Sequence, residues 1–178
     1  LSNYPRTLAA DAALAREAGA DFLLCPDRAA LYADGYRYRV LETEESLVLC
    51  GASRPGHFEG VLTVVLKLLQ LAGAHRAYFG EKDFQQHRLI KGMAEAFFLK
   101  TVIVPCPIVR EPDGLAMSSR NRRLSARQRA LAPRFHQALK SGRTAAQVRK
   151  ALARQGFAVD YVAERWGRRF GAARLGPV

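Results

Sequence analysis

Two short apolar runs, Ala77-Tyr78-Phe79 and Thr101-Val102-Ile103-Val104, bracket a helical pattern that runs from Asp83 to Phe98. Gly80 follows the first run directly and Pro105 the second. Strand, glycine turn, helix and strand in that order form a βαβ unit, whose crossover is right-handed when the strands are parallel. The spacing therefore predicts an α/β chain, with an open parallel sheet carrying helices on both faces. Upstream, an Ala- and Leu-rich stretch from Leu8 to Ala18 reads as a helix, with Thr7 as N-cap and Gly19 as its stop. Phe22-Leu23-Leu24-Cys25, ended by Pro26, reads as a further buried parallel strand. Val61 to Leu71 reads as an apolar helix ending near Gly73.

The pattern changes after Asn121. Ala126 to Leu139 and Thr144 to Gln155 read as two helices, followed by a strand at Val159-Asp160-Tyr161-Val162 and a basic tail. The expected division is a sheet domain over residues 1–108 and a smaller α+β C-terminal domain over 109–178.

Net charge of +12 raises the question of nucleic acid. The excess is local, since residues 120–178 hold 15 of the 28 Lys and Arg but only 2 of the 16 acidic residues. A solvated basic face accounts for this, with an anionic-substrate pocket as a second explanation. The aromatic platforms and glycine clamps of RNA-binding modules are not evident, so no nucleic-acid partner is expected. Cys25, Cys50 and Cys106 form no CxxC pair and the four histidines are scattered, so the expectation is buried free thiols, no zinc and a cytoplasmic setting. No apolar run is long enough to span a bilayer.

Three segments carry candidate chemistry. Gly80-Glu81-Lys82-Asp83-Phe84-Gln85-Gln86 lies where a strand ends and a helix begins, the place where open α/β sheets bind ligands. Free N–H groups at the helix start and the Lys82 ammonium suit a phosphate or carboxylate. A capped surface helix with a solvated lysine fits the same residues equally well. In the second segment, the turn Pro112-Asp113-Gly114 leads into Met117-Ser118-Ser119-Arg120, two hydroxyls and a guanidinium suited to closing over a triphosphate. An ordinary polar interdomain loop has the same composition. The third segment, Cys50 to Gly60, offers Arg54 for a carboxylate and His57 as a hydrogen-bond donor, although a loop histidine is more often structural. Neither the Walker A spacing nor the dinucleotide fingerprint is present.

Taken together and in order, these segments resemble the pantoate–β-alanine ligase (pantothenate synthetase) family. The resemblance rests on Tyr4-Pro5-Arg6-Thr7-Leu8, on Leu49-Cys50-Gly51 through Arg54-Pro55-Gly56-His57-Phe58, on Tyr78-Phe79-Gly80-Glu81-Lys82-Asp83, and on Arg110 through Asn121. It runs from Tyr4 to about Tyr161, and the Gly80-Glu81-Lys82-Asp83 and Met117-Ser118-Ser119-Arg120-Asn121 segments are specific together, where one alone would be weak. The family resemblance implies a Rossmann-like domain of the adenylyl-transferring superfamily with a small C-terminal lid. It also implies ATP and Mg²⁺ as co-substrate and cofactor, pantoate and β-alanine as substrates, a pantoyl-adenylate intermediate, and a homodimer.

By the same resemblance, Gly80, Glu81, Lys82 and Asp83 contact ATP, with Lys82 and Arg120 carrying the catalytic charge. Val109 touches adenine, and Met117, Ser118, Ser119 and Arg120 form the phosphate loop. Gln86 hydrogen-bonds pantoate, Arg54 and His57 face β-alanine, and Tyr4 lines the cleft. No residue is assigned to a protein-bound metal. The family's histidine-x-glycine-histidine and asparagine-proline-threonine-glutamine segments occur nowhere in the chain. The expectation is that they precede Leu1, that the first strands of the sheet are missing with them, and that the chain alone is inactive. Arg123 and Gln70 stand where the family commonly has tyrosine and asparagine. A basic nucleic-acid-binding module and a related nucleotidyltransferase are the competing readings.

Overall fold

The computed structural model describes residues 7–176, and its contacts divide the chain into residues 1–38 and 39–178. Tyr4 lies outside the described residues.

In the first unit, α1 (Leu8–Glu17) ends at Ala18, and Gly19 takes the left-handed conformation expected of a stop residue. Thr7 precedes the helix as predicted, but its hydroxyl bonds the Asp11 carboxylate at 3.2 Å instead of capping a backbone N–H. A short helix α2 (Arg28–Leu31) is capped by Asp27, whose carboxylate accepts the Ala30 N–H at 2.7 Å. The strand expected at Phe22–Cys25 is not formed. These residues are exposed, Phe22 by 94%. A strand exists only as a member of a hydrogen-bonded ladder, and among the described residues of this unit no second strand offers one.

The second unit holds α3 (Cys50–Ser53), α4 (His57–Ala72), β1 (Arg76–Gly80), α5 (Phe84–Ala96) and β2 (Val102–Cys106). β1 and β2 pair in parallel from Arg76 opposite Val102 to Gly80 opposite Cys106. The βαβ reading therefore holds, and the fold is α/β. Pro105 does not end β2; it sits within the strand opposite Phe79. Among the described residues β2 pairs with β1 alone, so the proline's missing N–H costs no ladder bond on the other side. Phe58 and Leu62 of α4, Leu89, Ile90 and Met93 of α5, and Ile103 of β2 form one buried cluster. Each such side chain contributes about 1.5–3 kcal/mol by leaving water.

A second cluster forms around α6 (Ala126–Leu131), α7 (Pro133–Lys140), α8 (Ala145–Arg154), β3 (Ala158–Arg165) and β4 (Arg168–Arg174). Val148, Leu152 and Phe157 are its buried centre. The single helix expected over Ala126–Leu139 is two, because Pro133 lacks the N–H that would continue the first and instead opens the second. The expected basic tail is strand β4, antiparallel to β3. Trp166 and Gly167, both at positive φ, make the two-residue turn that matches the twist of a hairpin. The cysteines are less buried than expected: Cys25 is exposed, and Cys50 and Cys106 are half-buried. Among the described residues no helix is long and apolar enough to cross a membrane.

Candidate active site

Gly80 ends β1 and Cys106 ends β2 in the same register, so both strands deliver their chains to one edge of the sheet. At that edge Glu81–Asp83 form a single 3-10 turn that runs straight into α5. A side-chain carbon built on Gly80 would meet nothing within 4 Å, so the strand end faces open space. Lys82 reaches the Asp83 carboxylate at 3.4 Å. Both side chains are substantially exposed, a contact that solvent screens and an anionic ligand would replace.

The start of α4 carries the next candidate. His57 is the first residue of that helix, after Gly56 in the left-handed conformation. Burial pushes its imidazole below the ordinary histidine value, the Arg54 and Arg120 charges push it the same way, and Asp83 pulls it back. Residues 26 and 37 positions apart in sequence from His57 to Asp83 and from Asp83 to Arg120 thus act on one imidazole. A neutral imidazole retains one donor and one acceptor nitrogen, which suits a hydrogen bond to substrate more than a charge contact.

The 109–121 segment is more ordered than a plain linker. The Met117 N–H donates to the Val109 carbonyl at 3.0 Å, and Glu111 and Leu115 pair inside it at 2.8 Å. The turn is braced by Arg110 donating to the Gly114 carbonyl at 3.0 Å and by an Asp113–Arg129 ion pair at 2.5 Å. The Arg129 hydrogen bond holds the Asp113 carboxyl below its usual range. Val109 and Met117 are left exposed, at 66% and 52%. Beyond the turn, the Ser118 hydroxyl caps a 3-10 helix (Ser119–Arg123) by accepting the Arg120 N–H at 3.2 Å. Asn121 ties the segment back through the Ala116 carbonyl at 3.1 Å.

Gln86 lies half-buried on the first turn of α5. Its neighbour Gln85 has a different task, which the residue pattern alone did not assign. Gln85 is buried and bonds the Glu45 carbonyl at 2.7 Å, the Val48 carbonyl at 2.8 Å and the Cys50 N–H at 3.1 Å. It holds the loop that leads into Arg54 and His57. The signal was present, since Gln85 precedes the buried Leu89 and Met93 by four and eight residues on one helical stripe. Tyr161 of β3 was also missed. Its hydroxyl meets the Cys50 sulfur at 2.9 Å, and burial followed by that contact raises its pKa well above the ordinary phenol.

Residues 1–170 match the family model described as pantoate-beta-alanine ligase. Pantothenate synthetase of Bdellovibrio bacteriovorus is 51% identical over 178 residues, all of this chain and 71% of the relative. That of Coxiella burnetii is 50% identical over 177 residues, covering 99% and 68%. A crystal structure of pantothenate synthetase from Thermus thermophilus superposes with a TM-score of 0.88 at 37% identity, covering 97% of this chain and 72% of that one. Pantoate-beta-alanine ligase from Francisella tularensis, complexed with beta-gamma ATP and beta-alanine, gives 0.85 at 33% identity, covering 97% and 71%. With half of its residues shared along its whole length and the same fold over 97% of it, this chain belongs to the pantoate-beta-alanine ligase family.

Proposed function

We propose that the chain serves the ATP-dependent condensation of pantoate with β-alanine, through a pantoyl-adenylate intermediate. The observation that carries this reading is the family match along residues 1–170, together with the place of Gly80–Asp83 at the open end of β1. A basic module for nucleic acid has no need of that arrangement.

In the first step, a pantoate carboxylate oxygen attacks the α-phosphorus of ATP and the bond to the β-phosphate breaks, releasing pyrophosphate. In the second, the β-alanine amine attacks the acyl carbon, loses a proton, and AMP leaves. Both steps depend on placement and on cations matched to spreading negative charge. Lys82 and Arg120 would supply that charge. The N–H groups from Gly80 to Asp83 and the hydroxyls of Ser118 and Ser119 would donate to phosphate oxygens. Val109 and Met117, joined by their backbone bond, would present an apolar patch to adenine. Gln86 would hold pantoate, while Arg54 and His57 would receive β-alanine.

Magnesium would enter as part of MgATP. Among the described residues no three His, Cys, Asp or Glu side chains gather around one point, so the phosphates would hold the ion with at most a carboxylate such as Asp83. The proposal divides the work between residues 1–108, which bind nucleotide and substrates, and 109–178, which cover the site. From the family resemblance it extends to a homodimer in the cytoplasm that does not bind nucleic acid.

A non-hydrolysable analogue of pantoyl adenylate tests the reading by titration calorimetry. The analogue should bind at least about 100-fold more tightly than ATP, since it joins both half-sites in one molecule. Binding no tighter than that of AMP would overturn the assignment of pantoate to this site.

A further inference from the structure

The tip of the β3–β4 hairpin rests on the first turn of α5, against the segment assigned above to the phosphates. Arg168 Nη2 lies 3.0 Å from the Glu81 carboxylate, 87 residues away in sequence. The same guanidinium sits over the Phe84 ring, 4.4 Å from its centre. Phe84 packs in turn against Phe170 at 5.6 Å and Trp166 at 6.3 Å, and Trp166 meets Phe170 edge-on. On the other side, Arg88 covers the Trp166 ring at 4.8 Å while its guanidinium holds the Glu45 carboxylate with two hydrogen bonds. Two arginines and three aromatic rings thus fix the hairpin tip to the start of the helix.

Stability does not account for the Arg168–Glu81 pair. Its side chains are 48% and 25% exposed, and pairs of that kind contribute little to folding. Their position is the informative feature. Glu81 directly follows Gly80, at the open strand end where a triphosphate would lie. An unpaired carboxylate there would repel it.

We propose that Arg168 is a positioning residue for nucleotide binding: it neutralises Glu81 and holds that carboxylate aside, so that docking of the C-terminal hairpin sets the affinity for ATP. The inference rests on the assignment of Gly80–Asp83 to the phosphates. Arg168 touches neither ATP nor the reacting atoms, and acts through Glu81. Glu81 itself meets ATP through its backbone N–H. The hairpin tip thereby links the second hydrophobic cluster to the nucleotide segment, and a hairpin that lifts away exposes the repelling carboxylate.

The test measures MgATP affinity by calorimetry for the wild-type chain and for Lys82→Ala, Arg168→Gln, Arg168→Lys, and Arg168→Gln combined with Glu81→Gln. Emission of Trp166, the one tryptophan in the chain, is recorded on each sample as a reporter of hairpin docking. Arg168→Gln should weaken binding about tenfold at low salt and less at about 1 M salt, where screening is short-ranged. Arg168→Lys, which keeps the charge, should stay within about threefold of wild type. Adding Glu81→Gln should recover most of the loss, a rescue that a merely structural role for Arg168 would not produce. Arg168→Gln with wild-type affinity, or with a loss that Glu81→Gln does not recover, overturns the inference even if Lys82→Ala weakens binding. Wild-type affinity in Lys82→Ala overturns the phosphate assignment and this inference with it.

Discussion

The buried Gln85 carboxamide accepts the Cys50 N–H at 3.1 Å and so fixes the segment that leads to Arg54 and His57 to α5, directly after the turn that carries Lys82. Two segments 35 residues apart, both proposed above to meet substrates, are held together by one buried side chain.

Replacing Gln85 with alanine should therefore be costly. The Glu45 and Val48 carbonyls and the Cys50 N–H would all lose their partner in a buried setting, and each unsatisfied group costs about 1–3 kcal/mol. We expect a loss of about 3 kcal/mol in urea denaturation, whereas Gln86→Ala should stay within about 0.5 kcal/mol and weaken pantoate binding instead. Equal destabilisation by the two would contradict the division of roles.

Gly51 admits no side chain. A carbon placed on it would lie 1.6 Å from the Ser46 carbonyl oxygen, a backbone atom that cannot swing away. Gly51→Ala should cost about 3 kcal/mol or more and reduce soluble yield, while Gly142→Ala, in open space, should be close to neutral. Near-wild-type thermal stability of Gly51→Ala would refute the close approach.

His87 is buried beside Phe84, and among the described residues neither ring nitrogen has a hydrogen-bond partner. Burial lowers its pKa, with Lys91, Arg168 and Arg88 pushing the same way and Glu81 opposing. The unfolded chain therefore takes up this proton first as pH falls. Stability is full above the unfolded value of about 6.5 and is lost as the pH drops through the lower folded value. His87→Leu should flatten denaturation midpoints between about pH 7.5 and 5 and raise stability by about 1 kcal/mol at the acid end. An unchanged slope would contradict this.

At the alkaline end the sign reverses. Burial and the Cys50 contact raise the Tyr161 phenol, so the folded state keeps that proton after the unfolded chain has released it. The contribution is full below the unfolded phenol value of about 10 and disappears as pH rises through the folded one. Absorbance titration should show one tyrosine ionising only with alkaline unfolding, and Tyr161→Phe should remove that step at a cost of about 1 kcal/mol near neutrality. Early ionisation of every tyrosine would contradict it.

The helices were legible because they carry their own periodicity and their own stops: Gly73 ends α4 in the left-handed conformation, and Ser125 and Thr144 each form a full capping box. Phe22–Cys25 misled because an apolar run specifies burial but not a ladder partner. Strand β4 was hidden by charge: Arg168, Arg169 and Arg174 read as a tail, although each carboxylate they meet, on Glu81, Glu164 and Asp160, lies elsewhere in the chain. The candidate segments could be named from residue type and order, but the contacts that brace them span 35 to 87 positions, and no local pattern encodes those.

Photolabelling with an azido-adenine analogue of ATP, followed by peptide mapping, tests the central claim most directly. The account predicts ATP-protectable labels on peptides spanning residues 80–91 and 109–120, lost in Lys82→Ala. Protectable labelling confined to the basic stretch over residues 122–154, with those two peptides unlabelled, would contradict it.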